Sequence, residues 1–153
     1  VMCLCEVAAD CKKNGITLWD QMLKIYEEYG YFKEGLHTIT MKGVTGAQAI
    51  KDIMAALRKN PAKELAGLKV LKVRDYDADV VTDMATGEKS STGLPKSNVL
   101  YFDLENDSWC CARPSGTEPK IKFYMGVKGT SLQDSEEKLE ALKNAVLAMI
   151  PEV

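Results

Sequence analysis

Two hydrophobic periods run along this chain, and the change from one to the other divides it. Near the start, Leu4, Val7, Ala8 and Cys11 recur at helical spacing, and Asn14-Gly15 supplies a stop. A second helical stripe follows at Leu18, Met22, Ile25 and Tyr29, with Thr17 and Asp20 spaced as a capping box at its head. Gly30 ends it. Tyr26, Tyr29, Tyr31 and Phe32 cluster at this point, which reads as packing at a helix end or domain junction.

From Leu36 to Met41 the period becomes two, and a strand is expected. Gly43-Val44-Thr45 leads into a helix capped by Thr45 with Gln48. Ala47, Ile50, Ile53, Met54 and Leu57 should face inward and Lys51, Asp52 and Arg58 outward. Asn60-Pro61 ends it. Strands are expected at Leu68 to Tyr76, Ser97 to Leu104, Ser108 to Ala112 and Ile121 to Val127, with Glu105-Asn106-Asp107 as a hairpin turn. Residues 82–96 form the longest irregular stretch, rich in Ser, Thr, Gly and Lys. Thr130 with Gln133 should cap a last helix, buried at Leu132, Leu139, Leu142, Val146 and Met149, before Pro151. These patterns predict an α+β fold: an antiparallel sheet of about four to five strands with two helices on one face. Residues 1 to about 30 do not join that unit, and their uncapped apolar beginning reads as a chain cut from something longer.

Composition narrows the classes. A hydrophobic content of 46% supports a packed core. Twenty basic and 22 acidic side chains leave a net charge of −2, which argues against a dedicated nucleic-acid binder. No apolar run approaches the roughly 20 residues that span a bilayer. Five cysteines without a C-x-x-C pair exclude a zinc knuckle or thioredoxin-like motif and read as reduced thiols of a cytosolic protein. His37, the lone histidine, has no visible acid or metal partner and reads as structural or surface. Asp75, Asp77, Asp79 and Asp83 lack the glycine of a calcium loop and read as a solvated loop. Gly43 and Gly46 precede a helix without the spacing of a phosphate-binding motif.

Candidate chemistry concentrates in Arg113-Pro114-Ser115-Gly116-Thr117-Glu118-Pro119-Lys120, between two strands. Arg113 offers a planar fork for two oxygens of a phosphate. Ser115 and Thr117 add hydroxyl donors, and Gly116 lets the backbone approach an anion. Pro114 and Pro119 stiffen the loop's ends. With Ile121 and Phe123 inward, Lys120, Lys122 and Tyr124 face the other way, so two lysines can add charge. Glu118 should face solvent or neutralise a lysine. The competing reading is a proline-bracketed turn whose Ser and Thr bond their own backbone. No convincing nucleophile, base or metal cluster accompanies the loop.

The run Arg113 to Pro119 resembles the signature of the last domain of the phosphohexomutases, the superfamily of phosphoglucomutase, phosphomannomutase and phosphoglucosamine mutase. Thr17 to Tyr31, Leu36 to Met41, Gly93 to Leu100 and Ile121 to Tyr124 extend the resemblance, toward the bacterial phosphoglucomutases closest to animal phosphopentomutases. The resemblance implies four domains around a cleft. Residues 1–30 would be the closing helices of the third domain and the linker, and 31–153 the fourth, phosphate-binding domain. Arg113, Ser115, Gly116 and Thr117 would hold the phosphate that is not transferred. Lys122 stands where many relatives carry arginine, keeping the charge and losing the fork. Lys120 is a further candidate. The implied activity of the parent is interconversion of glucose 1-phosphate and glucose 6-phosphate through glucose 1,6-bisphosphate. Phosphopentomutase, phosphomannomutase and a free-standing phosphate-ligand module are the alternatives. The implied Mg2+ loop and phosphoserine loop lie outside this chain, and Ser90-Ser91-Thr92-Gly93 does not match the nucleophile pattern. The implied partners are a phosphorylated sugar and the missing upstream domains, in the cytoplasm, with no nucleic acid and no membrane.

Overall fold

The computed structural model describes residues 1–41 and 45–150. Buried and open positions alternate along its long strands, and that alternation builds one sheet. The elements are α1 (Met2–Lys13), α2 (Leu18–Tyr29), β1 (Tyr31–Thr40), α3 (Gly46–Lys59), β2 (Glu64–Leu65) and β3 (Leu68–Asp75). Then come β4 (Val80–Asp83), β5 (Lys89–Ser90), β6 (Leu100–Leu104), β7 (Trp109–Pro114), β8 (Lys120–Gly129) and α4 (Leu132–Ala148). The strands lie in the order β1-β8-β7-β6-β3-β4-β5, with β2 beside β3. Every pairing among the described residues is antiparallel.

The α+β class is as the patterns predict, but the sheet has eight strands rather than about four or five. β2 and β5 have two residues each and β4 has four, too few for a period of two to register. β5 and the end of β4 fall inside the stretch expected to be irregular, residues 82–96. β1 begins at Tyr31 rather than Leu36, because Lys33 and Glu34 mask a strand whose burial nonetheless alternates. β6 begins at Leu100 rather than Ser97, β7 runs on to Pro114, and β8 covers Lys120–Gly129.

The caps show which local signals survive. Thr17 and Asp20 form the expected reciprocal box. Thr45 makes no side-chain cap, because its backbone is already helical, and Gln48 bonds Asp52 at 2.8 Å instead. At α4 the box is shifted by one residue. Ser131 is extended and its hydroxyl accepts from the Asp134 amide at 3.1 Å, while Gln133 bonds Glu137. Thr130 donates its amide and hydroxyl to the Asp134 carboxylate. Gly43 and Pro151 lie outside the described residues.

Ile50, Ile53, Met54 and Leu57 of α3 join Leu142 and Val146 of α4 over Phe102, Ala112, Ile121, Phe123 and Met125 of the sheet. Ala49 rather than Ala47 faces inward, completing a stripe with Gly46. Leu132 is exposed, and Ser135 takes the buried place because α4 approaches Gly129 closely. A Cβ on Gly129 would lie 2.6 Å from the Ser135 amide nitrogen. Lys33 pairs with Glu136, tying β1 to α4.

The first two helices pack differently. α1 buries only Cys11, and α2 buries no residue. Their apolar stripes, including Leu4, Met22, Ile25 and Tyr29, are open to solvent. Of the aromatic cluster, Tyr26 stacks on Tyr31 with centroids 5.6 Å apart, and Lys128 lies over the Phe32 ring.

The sheet face opposite α3 and α4 carries a ladder of its own. Arg74 lies over Tyr101 and bonds both oxygens of Asp103, at 2.7 and 2.8 Å. Tyr101 stacks on Trp109 at 5.5 Å, and burial pushes its phenol up to about 12. The indole edge rests on Gly126, where a Cβ would come within 2.3 Å of Nε1. Gly126→Ala should therefore displace Trp109 and cost about 1–3 kcal/mol in urea unfolding, with altered tryptophan emission. An unchanged midpoint and emission would show that the contact is dispensable.

A pH dependence follows from α4. The Lys138 ammonium, with the Thr130 amide and hydroxyl, holds the Asp134 carboxyl down at about 2. A depressed folded-state pKa means that this cap stabilises the helix fully above the ordinary carboxylate range near 4. Its contribution disappears as pH falls toward 2. A carboxyl-carbon NMR titration of Asp134 should have its midpoint near 2, and a midpoint near 4 would contradict the cap.

Candidate functional site

The candidate loop is set by strand register. β7 and β8 pair Arg113 with Lys122 and Pro114 with Ile121. The Ser115 amide donates to the Lys120 carbonyl at 2.8 Å and closes the connection. The Met41 amide donates to the Pro119 carbonyl at 2.9 Å, anchoring the loop beyond β1. Ile121 and Phe123 point into the core, so Lys122 and Tyr124 point to the open face, beside Cys111 and Arg113 of β7.

Arg113, Pro114, Ser115, Gly116, Lys122 and Tyr124 together line a hollow of about 180 Å³. Four of the six residues expected to bind an anion are thus brought together. Among the described residues neither Arg113 nor Lys122 has a carboxylate within ion-pair distance. The Ser115 hydroxyl accepts weakly from the Thr117 and Glu118 amides, at 3.4 and 3.3 Å, which leaves its hydrogen to donate. The self-bonded turn and the anion-binding reading therefore coexist in one serine.

Thr117 and Lys120 are placed elsewhere. Lys120 pairs with Glu118 at 3.0 Å, so Glu118 neutralises a lysine as expected. Thr117 lines a second hollow, of about 380 Å³, on the other side of the loop. Its far wall is Ala47, Ile50 and Lys51 of α3 with Asn98, whose amide oxygen accepts from Arg58 at 2.6 Å. Pro114, Ser115 and Gly116 wall both hollows. The approach of α3 to the loop joins residues about 65 positions apart through tertiary packing alone, and no local pattern announces it.

A further hollow, about 490 Å³, surrounds the Tyr101–Trp109 ladder. Its Lys72 and Arg74 are balanced by Asp103 and Asp107, so a dianion gains nothing there. His37 pairs with Phe123 on the helix-covered side of the sheet, the face opposite Lys122 and Tyr124. Three of the four aspartates hold turns, and Asp77 lies 4.0 Å from Arg58. Asp75 accepts from Arg58 and the Asp77 amide, Asp83 from the Ala85 and Thr86 amides. Asp79 accepts from Ser91 and Thr92, which holds its carboxyl below the usual range.

Comparison with known proteins places this geometry in context. The chain is 39% identical over 129 residues to a phosphoglucomutase of Staphylococcus saprophyticus, covering 84% of this chain and 23% of that one. It is 36% identical over 137 residues to a phosphoglucomutase of Staphylococcus aureus, covering 90% of this chain and 25% of that one. By sequence, the chain is a homologue of phosphoglucomutase. This phosphoglucomutase homologue spans about a quarter of the length of the curated relatives it matches. Among solved structures, the open form of pp63/parafusin, a phosphoglucomutase of Paramecium, superposes with a TM-score of 0.48 at 14% identity, over 94% of this chain and 24% of that one. No protein-family model matches the chain.

Cys111 reports on the orientation of Arg113 in this homologue. Burial raises its thiol to about 11, and the Arg113 charge pulls in the opposite direction. A titration of the Cys111 Cβ shift should have a midpoint near 11, and Arg113→Gln should move it higher. An unchanged midpoint would mean that the guanidinium points away from Cys111 and the hollow.

Proposed function

We propose that this chain is the phosphate-holding part of a phosphoglucomutase that interconverts glucose 1-phosphate and glucose 6-phosphate. The hollow of Arg113, Ser115, Gly116 and Lys122 carries the proposal. It combines two cations with no carboxylate at ion-pair distance among the described residues, a hydroxyl donor and an unobstructed glycine. The similarity to staphylococcal phosphoglucomutases supports the same reading. In it, residues 1–30 complete a preceding domain and residues 31–153 form the phosphate-binding one. The exposed apolar stripes of α1 and α2 then face upstream parts of the same protein.

The planar fork of Arg113 engages two phosphate oxygens while Lys122 supplies a point charge from the neighbouring strand. Thr117 reaches the same anion after a local rotation of the exposed loop tip, and Lys120 does so by leaving Glu118. This clamp anchors the phosphate that is not transferred. Phosphoryl transfer and glucose 1,6-bisphosphate turnover belong to the rest of the protein. The aspartates here do not fit a magnesium site, because Asp75, Asp79 and Asp83 are committed to turn amides, hydroxyls and Arg58. No step in this chain runs through magnesium. No helix among the described residues is long and apolar enough to cross a membrane, and a cytoplasmic setting is part of the proposal.

Amide NMR titration of the chain with glucose 6-phosphate should give saturable shifts at Ser115 to Thr117. Arg113→Ala should weaken binding about ten- to a hundredfold, the worth of one charge-assisted hydrogen bond. Arg113→Lys should recover part of that loss. The chain alone should show no mutase turnover. Binding indifferent to Arg113, or turnover that scales with the concentration of the pure chain, would refute the reading.

A further inference from the structure

The loop is a thin wall between two hollows, and a phosphate monoester held at Arg113 and Lys122 must extend its carbon skeleton in one direction. We infer that the skeleton runs along β8 over Tyr124 and Leu36, and not across the loop toward Lys51 and Thr117. This rests on the phosphate reading proposed above and adds the residues that recognise the rest of the ligand.

Tyr124 lines the same hollow as Arg113 and Lys122, whereas none of the three lines the hollow against α3. Tyr124 follows Lys122 by two positions on one strand face, about 7 Å further along. The register places Leu36 of β1 on one side of Tyr124 and Cys111 of β7 on the other. Leu36 is 55% exposed, an apolar side chain beside a charged hollow. Cys111 is neutral near pH 7 and repels nothing.

The site is therefore cationic at one end and apolar to aromatic at the other. That polarity matches an organic phosphate and not the bare ion. The flat Tyr124 ring suits the C–H face of a sugar carbon chain, and its hydroxyl can pair with a ligand hydroxyl. The opposite hollow sets Lys51 and the Asn98 amide among Ala47, Ile50 and the two loop prolines, with Glu118 committed to Lys120, and no aromatic ring lines it to serve as such a shelf.

The test is a pair of titrations of the whole chain, with glucose 6-phosphate and with inorganic phosphate. Wild type should bind the sugar phosphate more tightly. Tyr124→Ala should weaken glucose 6-phosphate about three- to tenfold and leave inorganic phosphate unchanged. Leu36→Ser should act in the same direction and serves if Tyr124→Ala loses its dispersed amide spectrum. Lys51→Ala should change neither affinity. The inference is overturned if Tyr124→Ala and Leu36→Ser spare glucose 6-phosphate, if they weaken both ligands equally, or if Lys51→Ala selectively weakens the sugar phosphate. Failure of wild type to bind either ligand, or indifference to Arg113→Ala, instead removes the phosphate reading on which the inference stands.

Discussion

The pairing of β7 with β8 is the constraint on which the rest depends. A strand has a period of two, so a single register decides two things together. It buries Ile121, Phe123 and Met125 under the helices, and it turns Arg113, Lys122 and Tyr124 to the open face. A slip by one residue would place cations in the core and phenylalanine in water. The same apolar contacts that fold the sheet therefore hold the charged pair across from each other. Pro114 and Pro119 add stiffness to the connection, but the register sets the geometry.

The open face is maintained by packing of a different kind. Arg74, Tyr101 and Trp109 stack across three strands, and Gly126 on the fourth leaves room for the indole edge. This ladder keeps one end of the face occupied and charge-balanced. The other end, at Arg113 and Lys122, is left with uncompensated positive charge. The contrast comes from the partners. Arg74 is forked onto Asp103, whereas Arg113 has no carboxylate in reach among the described residues. An exposed arginine beside a half-buried lysine, neither with a carboxylate in reach among the described residues, raises the local positive potential and favours an anion there.

How much of this was legible in the sequence differs by element. The α+β class, the helix-covered face, the Thr17–Asp20 box and the core positions of β8 all follow from periodicity, because burial imposes it directly. Thr45 and Ser131 show the limit of cap motifs, since the spacing permits a bond but backbone ψ decides it, −11° at Thr45 against 170° at Ser131. β2, β4 and β5 escaped because two to four residues cannot display a period. In the loop, the sequence brought forward Arg113, Ser115, Gly116 and Lys122, and these four line one hollow. It could not separate them from Thr117 and Lys120, because that division depends on which side of a thin wall each side chain falls. Lys51 and Asn98 were invisible, as they reach the loop only through the packing of α3.

The chemistry of the hollow also limits what it can do. Its lining is one arginine, one lysine, one tyrosine, a serine, a glycine and a proline. No imidazole, carboxylate or thiol is among the side chains that line it, and the adjacent thiol of Cys111 is moved further from neutrality by burial. Such a lining stabilises negative charge in ground state and transition state alike, and uniform binding of that kind does not accelerate a reaction. On the reading proposed above, the site's contribution is then one of position, fixing one end of a ligand so that groups elsewhere act on the other end. A donor set built from a fork, a point charge and a rotatable hydroxyl is suited to that proposed task, because its chemistry addresses an anion and not the carbon that carries it.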